Sequence, residues 1–485
     1  VVFRHQPLIR AIVTGPLRFA RSGAVLGIAL ALGGCASFAP APLVPGQNAE
    51  RLEVRSLADP SLLAFVRSNL PEGSAEAPDA SWNLESLTLA AFYFHPELDV
   101  ARAQWAVAEA ARITAGERPG AGFSVAPAEN TTTSTPSPRL VTATADLTLE
   151  TGGKRAYRIA QAAQRAEAAR LNVASAAWQV RSRVRSSLLA LYGARESERL
   201  LAEQQTTQEQ NLSILEGQFR EGAISAFELT QARLASESSQ LALRDAQRRE
   251  AEARAQLAAA VGVPVTAVNR AEFSFDTFED LSTGLATADA RQQALSNRPD
   301  VLSALAQYAA SQSSLQLAVA GQYPDIHLGP GYEYDQGDNK WSLGLAVSLP
   351  GDRNRGPIAE AEARREEAAA TFNALQSSVL SQIDLAAAAY RAALQKEADV
   401  DAMLADLTRQ ERLAQQMFDA GEISGSELAG LRLQLSASAL ARLDAVMQAQ
   451  QAVGQLEDAV QSPLGLPSAV WEQSPRTSDS TGGSR

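Results

Sequence analysis

Two hydrophobic periods divide the chain. From Val141 to Glu150 the residues alternate without a break, odd positions apolar and even positions polar, and Gly152-Gly153 stops the run. Phe123, Val125 and Pro127 alternate in the same way just upstream. Ile326, Leu328, Pro330, Tyr332 and Tyr334 form a third such series, with Asp325, His327 and Glu333 on the opposite parity. Trp341, Leu343, Leu345, Val347 and Leu349 form a fourth, interleaved with Ser342, Gly344, Ala346 and Ser348. A period of two predicts β-strands with one apolar face. Asp335-Gln336-Gly337-Asp338-Asn339 supplies hairpin-turn chemistry. Aromatic residues fall near the strand ends, as at a membrane interface; a half-buried soluble sheet has the same alternation.

After each pair of strands the period changes to spacings of three and four. Val173, Ala177, Val180, Val184, Leu188 and Leu191 make one series, and Phe372, Leu375, Val379, Ile383, Ala386 and Tyr390 another. These are coiled-coil seams. They predict very long helices over 154–221 and 356–420, each roughly 100 Å at 1.5 Å per residue. Shorter helices are expected over 225–261 and 424–460, another from Pro96 to Ala115, and a short one capped by Asn83 to about Phe92. Each short helix and the helix before its hairpin together nearly equal the long helix in length. Two short helices stacked end to end therefore fit along one long one.

The pattern is duplicated. A constant offset of 199 positions carries Phe219 to Phe418, Gly222 to Gly421, Glu228 to Glu427, Arg233 to Arg432 and Leu257 to Leu456. The most similar stretches are Phe219–Leu229 and Phe418–Leu428, each between a long and a shorter helix. Gly222 and Gly421 can take the left-handed conformation that closes a helix. Ser225 and Ser424 stand as N-caps with Glu228 and Glu427 at the capping-box position, and Ile224 and Ile423 precede the caps as staple residues. The organisation read from this is a signal segment 1–35, an extended arm 36–81, a first repeat 82–264, a linker 265–286, a second repeat 287–465 and a disordered tail 466–485.

Composition changes the picture in three places. A net charge of −12 argues against a nucleic-acid partner. Arg18 and Arg21, the apolar core Ala24–Leu32 and Leu32-Gly33-Gly34-Cys35 have the form of a processing signal. Cys35 is the chain's single cysteine, so an internal disulfide is impossible, and it stands as a lipid-attachment site. No catalytic set emerges. His95 and His327 lack metal-ligand spacing with a second His or Cys, so no metal and no cofactor beyond a covalent lipid is expected.

Four strands of about ten residues match the length of transmembrane β-strands. Four cannot close a barrel, and an open edge would leave backbone groups unpaired in hydrocarbon. If these strands face lipid, the chain must oligomerise. The duplicated plan, the Leu-Gly-Gly-Cys box, Arg298-Pro299-Asp300 and the Gly-x-Ile-Ser-x-x-Glu-Leu turns together resemble the outer membrane efflux channel (TolC-like) family, over nearly all of 82–465. That resemblance implies a mainly α fold with a transmembrane β-barrel portion. In it, a homotrimer forms a twelve-stranded barrel in the outer membrane of a Gram-negative bacterium and a helical tunnel across the periplasm. It implies a trimeric outer-membrane channel, the exit duct of a tripartite RND-type pump, with a periplasmic adaptor and an inner-membrane transporter as partners and small solutes as cargo. Tyr323-Pro324-Asp325, Gly331-Tyr332-Glu333 and Asn354-Arg355-Gly356-Pro357 resemble the heavy-metal branch. Carried onto this chain, the tip and adaptor-docking residues are Phe219, Gly222, Ile224, Ser225, Phe418, Gly421, Ile423 and Ser424. The pore constriction falls on Glu427, with Glu228 as its repeat mate; Gly430 stands where the family pattern has a further acid. A type I protein-secretion duct and a lipid-anchored periplasmic coiled-coil scaffold or adaptor without a pore remain open at this point.

Overall fold

The computed structural model describes residues 38–70, 81–129, 131, 139–278, 287–349, 351–461 and 466–474. Cys35 and the signal segment lie outside the described residues, as do parts of the linker and the end of the tail. The chain divides into two compact units at Leu52–Glu53. The first contains all but the last residue of helix α1 (Pro45–Glu53), which has no buried residue. Everything below concerns the second.

Helices α2 (Pro60–Asn69), α3 (Leu84–Phe94) and α4 (Pro96–Gly116) lead into strands β1 (Gly122–Glu129) and β2 (Arg139–Leu149). The long helix α5 (Lys154–Arg220) follows, then α6 (Ala226–Val261) and the single turn α7 (Val265–Val268). The second half gives α8 (Thr287–Asn297), α9 (Pro299–Ala320), β3 (Ile326–Asp335), β4 (Asp338–Val347), α10 (Arg355–Asp419), α11 (Gly425–Val460) and the turn α12 (Ala469–Glu472). The long elements start and stop within two residues of the positions the sequence marks. The reasons are local: Asn83 and Ser86 close a reciprocal cap on α3, and Pro96 and Pro299 open α4 and α9.

The predicted seam of α5 is sealed: Val173, Ala177, Val180, Val184, Leu188 and Leu191 are all fully buried. In α10, Val379, Ile383 and Ala386 are buried, with Phe372, Leu375 and Tyr390 packed against them. The end-to-end stacking is also present. A Cβ on Gly262, just past α6, would lie 3.0 Å from the Phe94 carbonyl oxygen and 3.2 Å from His95 Cα, where α3 hands over to α4. In the second repeat the Arg298 guanidinium, at the start of α9, donates to the Ala459 carbonyl at the end of α11, 2.6 Å away. Both α4 and α6 pack on α5; α5 packs on α9 and α11; α10 packs on α9 and α11. The helices form a wall with α4 and α6 at one edge and α10 at the other.

Among the described residues the four strands make one antiparallel sheet in the order β1-β2-β3-β4. The register puts every apolar series on one face: Phe123 opposite Ala145, Val141 opposite Tyr334, Leu147 opposite Leu328, Leu328 opposite Leu345, Tyr332 opposite Trp341. The other face carries Thr142, Thr144, Thr148, His327, Glu333 and Lys340. No hydrophobic core cluster among the described residues includes a strand residue. The apolar face is open instead, Trp341 at 82% and Leu343 at 73% exposure. Strands β1 and β4 are the sheet's edges, and they continue from α4 and into α10, the edge helices of the wall.

Three expectations are corrected. The arm is not extended where it is described: α2 is capped by Asp59, whose side chain accepts from the Ser61 N–H, and buries Leu62 and Val66. Its short apolar spacing is too brief to show against a Pro/Ala/Ser-rich background. The described part of the expected linker, 265–278, does more than connect the repeats. Trp82 pairs with Phe273 in an isolated bridge, and Phe273 and Phe278 lie in the main core. The described part of the tail, 466–474, is docked: Trp471 meets Phe92 edge-on, and the Arg102 side chain donates to the Trp471 carbonyl at 2.8 Å.

Candidate functional site: the two helical-hairpin tips

The two turns close by the same set of hydrogen bonds. At the first, the Ala223 N–H donates to the Gln218 carbonyl (2.8 Å) and the Gly222 N–H to the Phe219 carbonyl (3.0 Å). At the second, Glu422 N–H donates to Met417 (2.8 Å) and Gly421 N–H to Phe418 (2.9 Å). This is the Schellman pattern, which needs a left-handed residue after the helix. Gly222 and Gly421 supply it at φ 77° and 78°.

Each next helix opens on a reciprocal cap. The Ser225 N–H donates to Glu228 Oε2 (2.7 Å), and the Glu228 N–H donates to Ser225 Oγ (3.2 Å). Ser424 and Glu427 repeat this at 2.8 and 3.3 Å. Both carboxyls are held below the usual glutamate range, first by the backbone N–H of their own serine and then by its hydroxyl. They are therefore anionic at neutral pH while pointing into solvent. Ile224 and Ile423 are half-buried, and Leu229 and Leu428, at the matching staple positions, are buried. Phe219 and Phe418 are about two-fifths exposed.

The structure brings the tips to one end of the wall. Gly425, the first residue of α11, sits so close to α5 that a Cβ there would lie 3.1 Å from Ile214 Cδ1 and 3.6 Å from Phe418 Cε2. Sequence reasoning missed the braces across each hairpin. Arg233 pairs with Glu216 at 2.9 Å, and Arg432 reaches Glu411 at 3.1 Å and the Gln415 side chain at 2.5 Å. The two arginines are visible as repeat mates, but partners 17 and 21 residues away on another helix leave no mark in a periodicity. Among the described residues no cluster of His, Cys, Asp or Glu could hold a metal ion.

The family model for outer membrane efflux proteins matches residues 95–263 and 290–460, one copy on each repeat. The chain belongs to the outer membrane efflux protein family. Over 179 residues it is 32% identical to the pyoverdine export outer membrane protein OpmQ of Pseudomonas aeruginosa, covering 36% of each chain. Over 235 residues it is 26% identical to the cobalt-zinc-cadmium resistance protein CzcC of Cupriavidus metallidurans, covering 48% of this chain and 55% of that one. The chain thus spans about a third and about half of the length of these relatives. In fold it is similar to CusC (TM-score 0.64, 20% identity, 78% of this chain and 92% of that chain). It is similar also to the CmeC outer membrane channel of Campylobacter jejuni (TM-score 0.66, 16% identity, 92% and 98%). The two matched segments fall on the two hairpin-bearing units, so the duplication read from the offset is a duplication of the family's own unit.

Proposed function

We propose that the chain is one third of a homotrimeric outer-membrane channel, the exit duct of a tripartite efflux pump. One observation carries this reading: among the described residues, a sheet with an uncovered apolar face and two unpaired edges joins a helical wall whose edges fall on the same two sides. Soluble proteins rarely leave so large an apolar face open. Exposed strand edges invite pairing with another chain. Three copies would bring twelve strands, within the range of bacterial barrels. The apolar face would meet lipid, and the Thr, His, Glu and Lys face would line the lumen. A coiled-coil scaffold has no need of two such hairpins.

In this reading the tips at Gly222 and Gly421, with Phe219, Ile224, Ser225, Phe418, Ile423 and Ser424, dock a periplasmic adaptor, and an inner-membrane transporter of RND type supplies the energy. Glu228 and Glu427 place up to six carboxylates around the pore end, a ring that favours cations. Cys35 carries the lipid that helps hold the channel in the outer membrane. The cargo is small solutes, with heavy-metal cations as the class suggested by the likeness to CzcC; a strain lacking the gene, tested for metal sensitivity, checks that class. The duct itself is tested by adding detergent-purified protein to planar bilayers. Heat-modifiable trimers and stepwise conductance are expected, and a water-soluble monomer that conducts nothing would refute it.

A further inference from the structure

Among the described residues, each of the two edges of the helical wall carries a heptad row that no other helix covers. On α6 the row is Phe227, Leu234, Leu241 and Arg248, facing away from the buried Leu229–Ala246–Ala253 side that packs on α5. Phe227 is 70% exposed, Leu234 60% and Leu241 63%. On α10 the row is Leu385, Ala392, Asp399, Asp406 and Leu413, all exposed. Both rows are apolar toward the tip and charged further up, and the charges are opposite.

The heights along the wall can be compared. Counted from the caps Ser225 and Ala420, Arg244 and Arg248 stand 19 and 23 residues up α6, and Asp399 and Asp406 stand 21 and 14 residues up α10. Gly425 lies beside Ile214, six residues above the end of α5, so the second tip can sit as much as about 9 Å higher than the first. With level tips, Asp399 falls between Arg244 and Arg248. With that stagger, Asp399 falls about four residues above Arg248, and Asp406 within about one residue of Arg244. The acidic and basic groups coincide in both cases. Arg244 and Asp399 have no partner among the described residues of their own chain. Arg248 is bonded only within α6, to Glu252 and Asp245. Asp406 pairs with Arg409 on α10.

We propose that these rows recognise each other between copies of this chain. The α6 edge of one subunit seats on the α10 edge of the next, and Arg248, flanked by Arg244, bonds Asp399 to set the register of the tunnel wall. This rests on the duct reading and adds to it the residues that select the neighbour. The occupant is a second copy because each edge complements the other edge of the same molecule, and because the sheet edges β1 and β4 require a neighbour on the same two sides. The contact is head-to-tail, and with a third of a turn between neighbours it closes into a three-membered ring. Exposed pairs of this kind are screened by salt.

The test is a charge swap in the full-length, detergent-solubilised protein. Arg244→Glu with Arg248→Glu is compared with Asp399→Arg with Asp406→Arg, and with the chain carrying all four changes. Each reversed pair alone should lower trimer recovery at 150 mM salt at least tenfold while leaving helix content unchanged. The fourfold variant should return to within about threefold of the unaltered protein. Equal trimer recovery in all variants, or no rescue in the fourfold chain, overturns the assignment. Conductance separates the two readings. Trimers that conduct but ignore the swap refute only this register, whereas an unaltered protein without trimers or conductance refutes the duct itself.

Discussion

Replacing Gly262 with alanine tests whether the end-to-end joint of α6 and α4 holds the first repeat together. Gly262 has φ 84°, a left-handed conformation that costs a residue with a Cβ about 1–2 kcal/mol. Its Cβ would also lie 3.0 Å from the Phe94 carbonyl oxygen and 3.2 Å from His95 Cα and the Phe94 carbonyl carbon. These are backbone atoms at a helix junction, so they cannot rotate away as a side-chain tip would. Overpacking of this kind adds about 1–3 kcal/mol. The expected total is roughly 2–5 kcal/mol of local opening, or on the order of 30- to several-thousand-fold in an exchange rate at 1.4 kcal/mol per factor of ten. Gly222→Ala is the control. It carries the same backbone strain at φ 77° with nothing within 4 Å of the new Cβ, so only about 1–2 kcal/mol is expected. Amide hydrogen exchange reads both. The His95 N–H bonded to Ala91 (2.7 Å) and the residue-262 N–H bonded to Ala258 (2.9 Å) should lose far more protection in Gly262→Ala than any tip amide loses in Gly222→Ala. Equal losses at the two sites, or an unchanged joint, would show that the helices merely abut and that the close approach carries no load.

Two further substitutions separate charge from fold. Glu427→Gln keeps an oxygen that can accept the Ser424 N–H, so α11 should stay capped while the ring loses half its carboxylates; cation-over-anion selectivity in planar bilayers should fall, and unchanged selectivity with intact trimers would leave Glu427 only its capping role. His95 is the N-cap of α4, its Nδ1 accepting the Glu97 N–H at 3.3 Å, and burial pushes its pKa below the usual histidine value, with Arg183 adding to the effect. A depressed histidine contributes stability that is present above its unfolded pKa near 6.5 and is lost as pH falls through the lower folded value. The midpoint of heat-driven trimer dissociation should therefore drop more steeply from pH 7.5 to 5.5 in the native chain than in His95→Asn, which keeps a cap without a titrating ring; identical slopes would remove His95 from the pH response.

What the sequence made legible follows from how many residues report each feature. A seam of six fully buried positions on α5 repeats one signal six times, and the strand register is over-determined because a slip of one residue would turn every apolar side chain to the wrong face. The tips were equally plain, since Gly222, Ser225 and Glu228 each have one local job and the second repeat states them again. Features carried by one or two side chains reaching across the fold were not visible. Phe273 and Phe278 are separated from their core partners by an irregular segment with no period. Trp471 docks on Phe92 through a single helical turn. The exposed rows on α6 and α10 are heptads too, but a second heptad row on a helix is ambiguous until the structure shows which row is already covered.

The N-terminal arm shows most sharply why duplication alone misleads. Position 298 is an arginine, and its guanidinium meets the Ala459 carbonyl at the end of α11 and pairs with Asp300. That cation sits where helix-terminal carbonyls gather, a favourable place for positive charge. His95 stands before Pro96 as Arg298 stands before Pro299, and burial keeps it neutral, so the first repeat lacks its own cation there. Arg55 supplies one from outside the repeat: its Nη1 donates to both the Phe94 and the Gly262 carbonyls at 2.8 Å, and its guanidinium lies 5.3 Å from the Phe94 ring centroid. Leu57 and the helix α2 then bury themselves in the core beside it. The segment after Glu53 is thus helical and docked because it completes a joint that the second repeat completes internally. Aligning Pro96 with Pro299 shows the missing arginine at 95, and only the fold shows that its replacement comes from forty residues upstream.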